Sequence, residues 1–125
     1  MKKLLPILFI SFMSSSFNNH DKWVKILTTV NGDIYFFDNL RVQNKSNFVW
    51  VWSRVKYGSS VMGALSYQRL IKIDCIGNTE TTLQDTFFTD KYWTIPAMET
   101  NKKERPKVDI NPGSFAEKLS ELMCN

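Results

Sequence analysis

The sequence predicts an α+β fold: an antiparallel sheet of about six strands with one C-terminal helix packed on one face. Three observations point there. From Trp23 onward, stretches rich in β-branched and aromatic residues alternate with turn residues. A single capped, amphipathic segment follows them near the C-terminus. The only two cysteines, Cys75 and Cys124, lie on a strand and just beyond that helix.

Trp23 to Thr29 reads as the first strand. Asn31-Gly32-Asp33 follows as a hairpin turn, because Asn-Gly accepts the positive φ angles of a type I′ turn. Ile34 to Phe37 returns as the second strand, Asp38-Asn39 breaks it, and Gln43 to Asn47 is a polar connection. Phe48 to Tyr57 is a third strand that is apolar on both faces: Phe48, Trp50 and Trp52 point one way, Val49, Val51 and Val55 the other. Gly58 to Gly63 is a small, uncharged loop.

Ala64 to Cys75 alternates more cleanly. Leu65, Tyr67, Ile71, Ile73 and Cys75 share one face, with Ser66, Gln68, Lys72 and Asp74 on the other. Gly77-Asn78 turns the chain into a fifth strand, Thr79 to Phe88. Tyr92 to Lys107 is long, polar and Pro-bearing, and reads as an exposed loop. Lys107 to Ile110 can add a short sixth strand.

Pro112-Gly113 stops the extended segment, and Ser114 with Glu117 forms a capping box. Phe115, Leu119 and Leu122 recur at helical spacing and give one apolar face for the sheet. At ~100° per residue Cys124 lies roughly opposite that stripe. The helix is therefore expected to end by about Met123, so that Cys124 curls back to Cys75.

The N-terminus reads as a secretory signal. Lys2 and Lys3 are the positive region, Leu4 to Phe12 the apolar region, and Ser14 and Ser16 the small residues before cleavage. Residues 1–16 are thus expected to be removed, leaving one domain over 17–125. The apolar run is about half the ~20 residues that span a bilayer. A lipid anchor would need a cysteine at the end of the signal, where there is none. The mature protein is expected in the periplasm or released.

The formal charge of +4 falls to +2 once Lys2 and Lys3 go, too little for nucleic-acid binding. An even cysteine count in an exported small domain favours a disulfide over two free thiols or a metal pair. The loop it closes holds about 50 residues and contributes roughly 4 kcal/mol in the chain-entropy model.

No catalytic constellation stands out, and no cofactor is implied. The one histidine, His20, lies beside the expected cleavage site, away from any rigid element that could orient it. Asp74, Asp85 and Asp90 are formal acid–base candidates whose expected roles are solvation and turn capping. Nothing has zinc, calcium or phosphate-loop spacing. Two features point to binding instead. One is the aromatic stripe Phe48, Trp50 and Trp52, for which the helix leaves no cover; loops, a dimer partner or a ligand could supply it. The other is the run Lys102, Lys103, Arg105 and Lys107, suited to an anionic partner or simply solvated.

The chain resembles the surface-adhesin protein E family of Gram-negative bacteria. Trp23-Val24, Tyr35-Phe36-Phe37-Asp38, Val49-Trp50-Val51-Trp52 and Leu65-Ser66-Tyr67 carry the likeness, with Ile73-Asp74-Cys75, Asn111-Pro112-Gly113-Ser114 and Leu122-Met123-Cys124. The resemblance implies a six-stranded antiparallel sheet with a disulfide-fixed helix, binding of host extracellular-matrix or serum proteins, and possible dimerisation. The founding adhesin is a lipoprotein, which this chain does not match. The competing function is a periplasmic structural or inhibitory protein acting on an envelope partner.

Overall fold

A computed structural model of the chain describes residues 22–124, so the expected signal segment and His20 lie outside the described residues. Seven strands form one antiparallel sheet: β1 (Trp23–Thr28), β2 (Ile34–Asp38), β3 (Gln43–Lys45), β4 (Phe48–Val61), β5 (Ala64–Asp74), β6 (Thr79–Phe88) and β7 (Val108–Asp109). Helix α1 (Phe115–Met123) follows. The strand order is β1-β2-β4-β5-β6-β7, with β3 alongside β4. Cys75 and Cys124 are disulfide-bonded, with Cα atoms 5.5 Å apart.

The strand beyond the expected six is β3, in the segment read as a polar connection. Gln43, Asn44 and Lys45 are all exposed, so no apolar alternation marks them. Pairing comes from the turn: Ser46 takes a positive φ of 59°, and Lys45 lies opposite Phe48 across a two-residue connection. β2 and β3 thus share one edge of β4, β2 against Ser53 to Lys56 and β3 against Phe48 to Trp50. Residues 39–42 loop outward between them.

The segment from Gly58 is also strand where a loop was expected, and β4 runs on to Val61 past an irregularity after Lys56. The two-residue turn with both φ angles positive falls at Met62 (51°) and Gly63 (87°), at the tip of the β4–β5 hairpin. At Asn31-Gly32, where that geometry was expected, only Gly32 has positive φ (88°). Thr29 donates its amide to the Asp33 carbonyl and accepts from the Gly32 amide, giving a three-residue loop with glycine in the left-handed position. Gly58 explains the seat of this loop. Its amide donates to Asp33 Oδ1 (2.8 Å), and a Cβ there would lie 2.2 Å from the Asn31 carbonyl oxygen.

β4 and β5 carry the core in register, Val49 opposite Ile73 and Val51 opposite Ile71. Phe37, Ile110 and the helix residues Phe115, Ala116 and Leu119 close over them. Tyr35 stacks on Phe115 at 4.8 Å between centroids. Leu122, expected on the buried stripe, is 59% exposed. The buried stripe runs through Phe115, Ala116 and Leu119 to half-buried Met123. That roll, some tens of degrees at ~100° per residue, carries Cys124 toward Cys75. The cap also differs in detail. Ser114 Oγ accepts from the Glu117 amide (3.2 Å), but Glu117 Oε1 accepts from the Gly113 amide (2.7 Å), one residue earlier than expected.

Two stability changes follow. Replacing Cys75 and Cys124 by serine together should lower unfolding free energy by about 4 kcal/mol, read from urea denaturation; an unchanged midpoint would contradict the tether. Met62→Asn should raise stability by about 1 kcal/mol, because asparagine tolerates positive φ where methionine is strained.

Candidate functional site

Residues on the even positions of β4 point away from the helix. Phe48, Trp50, Trp52, Arg54 and Lys56 share that face with Lys72 and Leu70 of β5, Gln43 and Lys45 of β3, and Phe36 and Asp38 of β2. Cations lie against its rings. Lys72 Nζ is 4.8 Å from the Phe48 centroid and 5.9 Å from that of Trp50. Arg41 sits 5.5 Å from Trp52, and Lys56 5.1 Å from Tyr92. Arg54 lies between Trp23 (4.1 Å) and Trp93 (4.7 Å). Each contact contributes on the order of 0.5–2 kcal/mol.

One carboxylate organises this layer. Asp38, fully buried, accepts from Arg41 Nε (2.6 Å) and from the Leu40 amide (3.0 Å), which pins the outward loop and lays Arg41 on Trp52. Burial lowers the Arg54 pKa below its usual value, a shift that Asp38 opposes and Arg41 reinforces.

Tyr92 to Lys107 is not a free loop. It forms bridges beside β6, Phe88 to Pro96 and Asp85 to Asn101. Its start folds over the upper part of the aromatic face. The Trp93 indole N–H donates to the Tyr67 carbonyl (3.1 Å), and its ring meets Phe36 edge-on at 5.7 Å. Asp90 holds the turn, accepting from the Thr94 hydroxyl (2.6 Å) and the amides of Ile95, Thr94 and Tyr92. The Thr94 hydroxyl bond, followed by those amides, holds the Asp90 carboxyl at about 2, against an ordinary 3.8. Trp93 was missed because it sits in polar sequence; Asp90 and Thr94, four apart around Tyr92-Trp93, are the signal.

The two expected binding patches prove to be neighbours. A cleft of about 300 Å³ is walled by Phe48, Lys72 and Asp74 on one side and Glu104 to Lys107 on the other, with Thr79 and Thr81 also lining it. A second groove of about 370 Å³ runs from Arg41 and Gln43 past Trp50 and Trp52 to Leu70. Phe48, Trp50 and Trp52 remain partly exposed along them. Lys102 and Lys103 are exposed but line neither hollow. Arg105 turns its guanidinium to the helix side, 2.8 Å from Asp85 Oδ1.

Asp85 is therefore not solvated, as expected of it. It also accepts from the Tyr67 hydroxyl (2.6 Å), beside the Arg69–Glu80 pair (3.1 Å). Burial first, then the bond to Asp85, raises the Tyr67 pKa, and burial pushes Tyr57 up to about 12. Asp74 and Asp90 do cap turns, Asp74 through the Gly77 and Ile76 amides.

Residues 23–125 match the family described as Surface-adhesin protein E. Crystal form II of Haemophilus influenzae protein E superposes with a TM-score of 0.64 at 13% identity, covering 83% of this chain and 87% of that one. Another structure of H. influenzae protein E gives 0.62 at 13% identity, covering 83% and 84%. Protein E from non-typeable H. influenzae gives 0.61 at 13%, covering 83% and 76%. At that identity the likeness is one of fold. No curated protein matches the chain in sequence.

The depressed Asp90 carboxyl carries a sign. Its contribution to stability is present above pH 3.8 and is lost as pH falls through about 2. Asp90→Asn should therefore be less stable than wild type at pH 6, and the gap should close as both are titrated toward pH 2. A gap independent of pH would remove the carboxylate's role.

Proposed function

The chain belongs to the surface-adhesin protein E family, and we propose that it is an exported, non-enzymatic binding protein that engages host extracellular-matrix or serum proteins. Its binding surface is the sheet face away from helix α1, with Lys107 at the rim and Lys102 and Lys103 exposed beyond it, while Arg105 is engaged by Asp85 on the helix side. The observation that carries this reading is the partly exposed stripe Phe48, Trp50 and Trp52, edged by cations. Aromatic and arginine side chains are enriched in protein-binding patches, and Trp50, Trp52 and Arg41 meet here.

The use of the ionisable groups also favours binding over catalysis. Asp38, Glu80 and Asp85 each neutralise an arginine, and Asp74 and Asp90 hold turns. Both cysteines are in the bridge. Among the described residues no helix is long and apolar enough to cross a membrane. Display at the cell surface separates an adhesin from a periplasmic partner of envelope proteins. Cleavage by protease added to intact cells supports display.

Capture of purified matrix proteins on the immobilised full chain tests the site. Trp50→Ala should weaken capture by about tenfold or more if the stripe holds a binding hot spot, and charge reversal of Lys102 and Lys103 should slow association. Capture that survives both changes would sink this assignment.

A further inference from the structure

Strand register sets a second pattern across the free face. Thr81, Lys72, Trp50 and Gln43 are mutual cross-strand partners on β6, β5, β4 and β3, so they form one row perpendicular to the strands. Adjacent members are about 4.8 Å apart along the sheet. Lys107 stands at one end of the row, across the cleft that Lys72 and Thr81 line. Arg41 stands near the other, in the groove shared by Gln43 and Trp50.

The charges in this row are unequal in their partners. Among the described residues the ion pairs are Arg41–Asp38, Arg69–Glu80 and Arg105–Asp85. Lys72 and Lys107 have no carboxylate at ion-pair distance among the described residues; Asp74 and Glu104 line the same cleft, but Lys72 rests on ring faces and Lys107 feels Asp74 only at longer range. The row thus offers two cations lacking a close counter-charge, one flat indole, one hydroxyl and one amide, in line.

We propose that this row is a subsite for a linear anionic polysaccharide, lying across the strands with its acidic groups on Lys72 and Lys107 and a sugar ring against Trp50. The inference rests on the reading that the face away from α1 is the binding surface, and adds the ligand's chemistry. An acidic peptide fits less well. β4 and β5 are central strands with partners on both sides along this stretch, so an extended peptide finds no free edge to join. A sugar chain needs none. Its hydroxyls match exposed Gln43 and the mostly buried Thr81 at the cleft floor, and its acidic groups match the two lysines.

Calorimetric titration of the full chain with a heparin-derived decasaccharide, a hyaluronate decasaccharide and a ten-residue polyglutamate tests this at about 50 mM salt. One or both sugars should bind, and the peptide should bind at least tenfold more weakly. Which sugar binds tells sulfate from carboxylate recognition. Lys72→Gln with Lys107→Gln should weaken the sugar by about tenfold and lower the slope of log affinity against log salt by about one per lysine. Trp50→Phe should retain part of the affinity that Trp50→Ala loses, while Lys118→Gln on the helix should match wild type. Absence of sugar binding, equal binding of polyglutamate, or indifference to the lysine pair would overturn the inference. Matrix-protein capture that still depends on Trp50 would in those cases leave the proposed function standing.

Discussion

β4 must leave water on both faces, and most of the molecule is arranged around that requirement. On one side Val49 and Val51 pair with Ile73 and Ile71 beneath α1. Fully burying each such side chain contributes roughly 1.5–3 kcal/mol. The cover is a helix of nine residues, shorter than the ~12–15 that hold together alone in water. It is kept in place from outside: by the Ser114 cap, by Tyr35 stacked on Phe115, and by the bridge at Cys124. Sheet and helix are each conditional on the other.

The opposite side is closed differently. Lysine and arginine stems lie along the rings while their charged ends stay wet. An aromatic stripe that would otherwise invite aggregation becomes a hydrated, positively charged surface without losing its rings. Trp93 completes the layer at the top, where Arg54 is clasped between two indoles. Asp38 is what makes the arrangement affordable at its edge, since it holds Arg41 where Trp52 needs it.

The parts of this design that were legible in the sequence are those written as alternation or as local turn chemistry. β6 begins and ends where its residues said, and the parity of Phe48, Trp50 and Trp52 assigned them to the face away from the helix. The end of α1 at Met123 followed from the position of Cys124. What was illegible depends on partners distant in sequence. β3 has three exposed polar residues and exists because a turn at Ser46 sets it against β4. Met62 adopts positive φ under the demand of the hairpin, with nothing in its own side chain to announce it. The roll that exposes Leu122 is imposed by the tether. Within the site, the residue types could be read, but their meeting could not. Lys107 reaches the Phe48 cleft, and Arg105 leaves for Asp85, only because residues 89–107 track the edge of β6.

The bridge joins Cys75 to a residue 49 positions later, downstream of all seven strands. A ribosome has therefore produced the whole sheet before the thiol of Cys75 can meet its mate. Until then the helix over the hydrophobic side of β4 and β5 is held only by its cap and its packing, without a covalent lock. Cross-linking therefore comes after synthesis of every strand, and the compartment in which Cys124 first encounters an oxidant decides where the molecule acquires its tether.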